Sequence, residues 1–302
     1  MHWKLTVLGS SSALPTENRM LSAQALDVNS SIILFDCGEG TQFQLKKFGV
    51  KRSRIDYILI SHLHGDHFFG IFGLINTFIM LNRQKPLTII SPPGLKTLVY
   101  NVLDMVNKEP VFEIDFIEIS TQTKTPIIRA KDFTIYAFPL HHGISTYGYL
   151  IEQVNLNRSL LPDFLESNAV SFKWRQKIQA GDDFIDSNGL VFPNSEITND
   201  PFIKKFAYMS DTAFVESLAK NILKVDLLYH EATFGNELEK EASKKKHSTA
   251  AQAAKIALMA EVSQLLIGHF SSRYKNVDHL KVEAQQIFPN TIVAQDGLEI
   301  EF

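Results

Sequence analysis

Ser61-His62-Leu63-His64-Gly65-Asp66-His67 follows directly on the apolar run Asp56-Tyr57-Ile58-Leu59-Ile60. Alternate residues of a strand face the same side, so His62 and His64 project together, and Gly65 permits a turn that brings Asp66 and His67 round to them. Three imidazoles and a carboxylate therefore converge where a strand ends. The plainer reading is a polar loop with no metal. Burying that many unpaired donors costs on the order of several kcal/mol, which favours a metal site.

Three later positions repeat the placement. His142 comes after Phe138-Pro139-Leu140, Asp211 after the run Phe206 to Ser210, and His269 after Leu265-Leu266-Ile267-Gly268. Taken singly, a histidine after a strand is more often structural than ligating. Their common position, beyond the four donors already placed, argues for more than a mononuclear centre. Cys37 is the only cysteine, which excludes an internal disulfide and a thiolate zinc site, so a metal here is held by His, Asp or Glu.

With 302 residues and 45% hydrophobic content the chain can bury a large core. Met1, His2, Trp3 and Lys4 lead into a strand-like run with no apolar segment suited to a signal peptide or a membrane span, so a cytoplasmic location is the default expectation. A net charge of −3 argues against a broadly basic surface that coats nucleic acid. Local basic clusters remain: Lys46, Lys47, Lys51, Arg52 and Arg54, and the run Lys244, Lys245 and Lys246 before His247. Each reads equally well as a solvated face.

Apolar runs alternate with helical patterns almost throughout, which gives an α/β class. Strands are expected at Lys4 to Leu8, Ser31 to Phe35, Tyr57 to Ser61, Phe133 to Phe138, Val225 to Tyr229 and Gln264 to Gly268, among others, with a helix over Phe68 to Leu81. Ser248 to Ala260 is Ala-rich, with Ser248 or Thr249 as its cap, so His247 sits near a helix N-terminus. From Gln153 to Asp200 the periodicity weakens and Asn, Ser and Asp accumulate, which marks an inserted, protruding arm on a single domain spanning residues 1–302. The flanking parts read as pseudo-symmetric halves.

The order HxHxDH, then His, Asp and His, resembles the metallo-β-lactamase superfamily over essentially the whole chain. The resemblance implies an αβ/βα sandwich of two mixed sheets flanked by helices. It further implies two zinc ions per subunit: His62, His64 and His142 on one, Asp66, His67 and His269 on the other, and Asp211 bridging. His142 is chosen over His141 by the family's spacing to Gly148 and Tyr149. Manganese or iron would suit the same ligands.

Within the superfamily the motifs resemble the tRNase Z (ribonuclease Z) family. They are Gly9-Ser10-Ser11-Ser12-Ala13-Leu14-Pro15 with Asn18 and Arg19, Phe35-Asp36-Cys37-Gly38-Glu39-Gly40-Thr41-Gln42, His230-Glu231-Ala232-Thr233 with His247-Ser248-Thr249, and His269-Phe270-Ser271-Ser272-Arg273-Tyr274. The implied activity is a metal-dependent endoribonuclease, a hydrolase that cuts precursor tRNA after the discriminator and leaves a 3′ hydroxyl, working as a homodimer. His247 is implied as the acid that protonates the departing oxygen, Glu231 as its orienting carboxylate, and Asp66 as a ligand that also accepts a proton. Asp36 would support the ligands from behind. Arg273, Lys244, Lys245 and Lys246 are expected to meet phosphates. His2 and His279 read as surface residues, and His141 and His230 as structural.

The arm departs from the family pattern. It lacks a Gly-Pro tip and holds four basic residues against seven acidic ones. Lys173, Arg175 and Lys177, with Trp174 as a stacking face, are its candidate tRNA contacts. Two other readings stand beside the nuclease. One is a phosphodiesterase of the same fold acting on a small or cyclic-nucleotide substrate. The other is a non-catalytic, metal-stabilised binding protein, against which the complete ligand set speaks.

Overall fold

Residues 3–107, 109–154, 158–200 and 203–302 are described in a computed structural model, and His2 lies outside them. The strands fall into two groups along the chain. First come β1 (Lys4–Gly9), β2 (Ala23–Asp27), β3 (Ile32–Phe35), β4 (Ile55–Leu59), β5 (Leu87–Ser91) and β6 (Ile114–Glu118). Then follow β7 (Thr125–Arg129), β8 (Phe133–Pro139), β9 (Tyr147–Gln153), β10 (Lys205–Met209), β11 (Leu227–Glu231), β12 (Gln264–Gly268), β13 (Thr291–Val293) and β14 (Glu299–Glu301). One seven-stranded sheet has the order β14-β1-β2-β3-β4-β5-β6, and the other β13-β12-β11-β10-β9-β8-β7. Strands β3 to β6 are mutually parallel, as are β10 to β13, while β14, β1, β2 and β3 pair antiparallel.

Aromatic residues of the two inner faces fill the sandwich. Phe35 of β3 lies 5.2 Å from Phe206 and 5.1 Å from Tyr208 of β10, and 6.4 Å from Tyr149 of β9, between ring centroids. Outside the first sheet, the helix Gly70–Met80 buries Ile71, Leu74, Ile75 and Phe78, spaced as one face of a helix. Full burial of each stabilises the fold by roughly 1.5–3 kcal/mol. The helix expected over Phe68 to Leu81 is in fact two, Gly65–Phe68 and Gly70–Met80. A Cβ on Gly70 would come within 2.0 Å of the Gly38 carbonyl oxygen, so the second helix starts where its backbone packs directly on the loop after β3.

Two compact units emerge: Met1–Ile128 with Ile135–Ile151 and Lys205–Phe302, and Arg129–Thr134 with Glu152–Lys204. The second has a core of its own, formed by Val170, Ile178, Phe184 and Ile197. Trp174 packs against it, with its ring 5.3 Å from that of Phe184 and the Lys177 ammonium 4.9 Å above it. Trp174, read from sequence as a stacking face, is thus half-buried against this core. Lys173, Arg175 and Lys177 lie exposed on the helix Phe172–Gln179.

Candidate metal centre

The candidate ligands gather at the carboxyl ends of strands from both sheets. Beyond β4, Ser61 donates its backbone N–H to Asp36 Oδ1 (2.7 Å) and its hydroxyl to Asp36 Oδ2 (3.0 Å). The same hydroxyl lies 3.0 Å from His62 Nδ1 and accepts its proton, which leaves Nε2 of His62 as a bare lone pair. Asp36, held at φ 55°, also accepts from His67 Nδ1 (2.8 Å) and the Tyr208 hydroxyl (2.7 Å). One buried carboxylate therefore orients two histidines, the arrangement that aims metal-binding imidazoles.

Ring nitrogens then face one another. His64 Nδ1 lies 3.0 Å from His62 Nε2 and 3.3 Å from His142 Nε2. His67 Nε2 lies 3.2 Å from His269 Nε2, with Asp66 Oδ2 at 3.4 and 3.5 Å from the two. Among the described residues three overlapping donor groups form: His62, His64, His142 and Asp211; Asp66, His67 and His269; and Asp211, His247 and His269. Asp211 spans them: Oδ2 is 3.5 Å from His62 Nε2, and Oδ1 is 3.5 Å from His67 Nε2. Its Oδ1 is buried with no hydrogen-bond donor among the described residues.

This donor set fits divalent cations. Ligands about 2.0–2.1 Å from a tetrahedral ion stand roughly 3.3 Å apart, the separation of these nitrogens. Ring nitrogens crowded this closely and an orphaned buried carboxylate oxygen are the surroundings that a cation would stabilise. The remaining nitrogens are held. His142 Nδ1 donates to the Lys246 carbonyl (2.9 Å), and His269 Nδ1 to the Thr233 hydroxyl (3.0 Å). His269 itself sits at φ 58°, a strained backbone for a residue with a side chain.

Protonation follows the surroundings. Burial holds His62 well below its ordinary value and also lowers His142, so both are neutral, the form that ligates. Burial alone would discourage a charged Asp211, but His269, His67 and His247 around it hold its carboxyl well below the usual range. His67 is pushed the other way: burial lowers it, yet Asp211, Asp66 and Asp36 raise it well above.

Beside the clusters lies a second constellation. Glu231, at the end of β11, is fully buried and accepts from Thr212 N (3.1 Å), Ser248 N (3.0 Å), Thr233 N (3.0 Å), Thr233 Oγ1 (2.7 Å) and His247 Nδ1 (2.9 Å). The strand read from sequence as Val225 to Tyr229 runs two residues further, which carries Glu231 into the site. Burial lowers the His247 imidazole, but Glu231 and then Asp211 outweigh it and raise it to about 9. With Nδ1 engaged, Nε2 is the nitrogen left for a substrate. His247 precedes the helix Ala250–Met259, whose cap is Thr249 in a capping box with Gln252.

The other residues singled out in the sequence divide. Lys245 and His247 line the same cavity, of about 630 Å³, as His64, Asp66, His142 and Asp211. Lys245 Nζ also pairs with Glu241 at 3.1 Å. Lys246, expected to meet phosphate, donates from its Nζ to the His142 carbonyl at 3.2 Å, and its own carbonyl holds the His142 ring. Lys244 is exposed on the helix Glu239–Lys245. The Arg273 guanidinium stacks 5.0 Å over Phe234, and its Nε donates to Ser271 Oγ. His141 and His279 are exposed, and His230 is buried with Nδ1 bonded to the Glu231 carbonyl. Sequence reasoning passed over Tyr208 and the Lys246 carbonyl, because neither carries a motif of its own.

Comparison with known proteins agrees with this geometry. A family profile described as anti-Pycsar protein Apyc1 matches residues 3–283, so the chain is a member of the grouping that profile draws. Ribonuclease Z of Parabacteroides distasonis is 40% identical over 98% of this chain and 98% of its own length. The chain belongs to the ribonuclease Z family. Ribonuclease Z of Bacteroides thetaiotaomicron is 39% identical, covering 98% and 94% of the two chains. Human tRNase Z, short form, superposes with a TM-score of 0.72 at 27% identity, over 98% of each chain. The two helix-flanked sheets are thus the metallo-β-lactamase fold, and membership of the ribonuclease Z family makes the chain a divalent-metal hydrolase.

Proposed function

We propose that this chain is a tRNA 3′-processing endoribonuclease that cuts precursor tRNA after the discriminator and leaves a 3′ hydroxyl on the tRNA. The observation that carries the reading is the contact of His247 Nδ1 with Glu231 Oε1, 2.9 Å long, beside two donor groups whose imidazoles Asp211 approaches with one oxygen each. His62, His64 and His142 would hold one divalent ion and Asp66, His67 and His269 a second, with Asp211 available to both; zinc suits these ligands, and manganese or iron would also suit them. Such ions supply Lewis-acid polarisation of a phosphate and a water ionised near neutral pH.

The chain's own groups then complete the reaction. Asp66 accepts a proton from the attacking water, while its Oδ2 is steadied by the Ala13 N–H at 2.8 Å. As the phosphorus–O3′ bond breaks, His247 gives its Nε2 proton to the departing 3′ oxygen. Glu231 holds that ring by Nδ1 and stabilises its charge. The new phosphate stays on the trailer. Lys245 at the cavity and Lys244 and Arg273 nearby in sequence meet backbone phosphates. A homodimer and a cytoplasmic setting go with the family reading; among the described residues no helix is long and apolar enough to cross a membrane.

A second reading, a phosphodiesterase for a small or cyclic nucleotide, is favoured by the acidic balance of residues 153–200 and by the engagement of Trp174 in packing. The deciding experiment incubates zinc-loaded protein with precursor tRNA and, separately, with a small chromogenic diester, using His64→Ala and His247→Ala as controls. Cleavage at the discriminator by wild type alone supports the tRNA reading. An intact precursor beside a hydrolysed small diester moves the assignment to the second. Charge reversal of Lys173, Arg175 and Lys177 tests the arm. As an exosite it raises KM for precursor tRNA and flattens the salt dependence by about one unit of slope per lost contact.

A further inference from the structure

The cavity is lined by two chemically different sets of side chains. Lys245 and His247 line it near His142, whose ring is tied to the Lys246 carbonyl. Leu14, Pro15 and Phe69 also line it, Leu14 next to Ala13, whose backbone bonds Asp66, and Phe69 over the turn at Gly65. Leu14 is 62% exposed and Phe69 56%. Two large apolar side chains left in water at the mouth of a charged site call for a ligand that covers them.

Both are fixed in advance. Phe69 donates its N–H to the Gly65 carbonyl (3.1 Å), and its ring sits 4.8 Å from that of Phe68. The ring lies so close over Gly65 that a Cβ there would come within 2.5 Å of it, so any other residue at position 65 would displace the ring. Leu14 is pinned by its N–H to the Ser12 carbonyl (2.7 Å) and by the Ser11 hydroxyl to its own carbonyl (2.7 Å). Ala13 adopts φ 61° and reaches Asp66. The lip is therefore tethered to a candidate ligand and to the turn that carries it.

We propose that Phe69 and Leu14 seat the nucleobase adjoining the scissile phosphate, with Phe69 as the stacking face. A nucleotide joins a flat apolar ring to an anion, and the cavity's lining offers both exposed apolar side chains and the cationic Lys245 and His247. Stacking accepts every base, which suits an enzyme that must process many RNAs. This inference rests on the reading of the substrate as a nucleotide diester.

The test compares thymidine 5′-monophosphate p-nitrophenyl ester with methyl p-nitrophenyl phosphate, on zinc-loaded wild type, Phe69→Ala, Phe69→Tyr and Leu14→Ala. Wild type prefers the nucleotide ester. Phe69→Ala lowers that preference, as a ratio of kcat/KM values, by about tenfold, and Leu14→Ala by less, within the range a stacked base contributes. Phe69→Tyr keeps it. Calorimetric binding of thymidine 5′-monophosphate against methyl phosphate gives a readout free of turnover and follows the same order. An unchanged ratio in Phe69→Ala, or equal losses for both ligands, overturns the assignment. So does a changed oligomeric state of that variant, which would make the lip a contact between copies. Wild type that leaves precursor tRNA intact but keeps the nucleotide preference removes the tRNA reading and leaves the lip in place.

Discussion

The ring of His142 donates its Nδ1 proton to the main-chain carbonyl of Lys246, 2.9 Å away, and Lys246 presents that carbonyl from a left-handed backbone at φ 56°. A candidate ligand on one loop is thus oriented by the residue immediately before His247. Lys246→Gly keeps the conformation, and its stability stays within about 1 kcal/mol of wild type with metal binding retained. Lys246→Val, which is β-branched, adopts that backbone poorly and loses roughly 1–2 kcal/mol along with occupancy at the His142 group. Calorimetric melting and metal titration check both. Equal behaviour of the two variants would mean that the carbonyl does not position the ring.

The role of His247 depends on the leaving group. His247→Ala lowers kcat on an RNA diester by about 10²- to 10⁴-fold, the usual contribution of a positioned acid, with unchanged metal content. A p-nitrophenyl diester, whose leaving group needs no proton, loses far less. Steady-state kinetics on the two substrates measures the difference. Equal losses on both would place His247 in binding rather than in protonation.

Asp36 accepts from Ser61 N, Ser61 Oγ, His67 Nδ1 and the Tyr208 hydroxyl. Asp36→Asn turns one acceptor into a donor among these donors and removes the charge behind His67. Metal affinity falls by about 10- to 100-fold, read by competition with a chelator, while the ligands themselves stay intact. Tyr208→Phe removes one of the bonds and has a smaller effect in the same direction.

Cys37 is fully buried, and burial, with Asp36 adding to it, pushes its thiol from near 9 up to about 12. Between those values the folded chain keeps a proton that the unfolded chain has lost. The thiol's contribution is fully present below pH 9 and declines as pH rises toward 12. The stability gap between wild type and Cys37→Ala, measured by denaturant titration, therefore narrows across that window. A gap that is flat with pH would refute the burial of the thiol form.

The donor cluster was legible because a metal centre needs several donors close together and strand ends supply them at recognisable spacings. His62, His64, Asp66 and His67 can be read within one heptad of residues, and Glu231 with His247 through their paired motifs. Less was legible where a partner is backbone or comes from far along the chain. Nothing local marks the Lys246 carbonyl or the Tyr208 hydroxyl, which reaches Asp36 across the sandwich. Strand β2 was missed because Ala23, Gln24 and Ala25 have weak strand propensity and are held by burial and by Gln24 bonding the Gly9 carbonyl. The core around Ile178 and Phe184 was missed because short, irregular elements carry no period.

Strand β14 pairs with β1, with Ile300 opposite Leu5, and Trp3 meets Phe302 edge to face. The first six strands leave the ribosome early, but the sheet they build stays open along β1 until residues 299–301 are made. Until then that edge is an invitation to mispair with another nascent chain, and the hazard grows with the time the ribosome takes over the intervening segment. The latest part of the sequence, which touches no chemistry, thus governs how safely the earliest part is assembled.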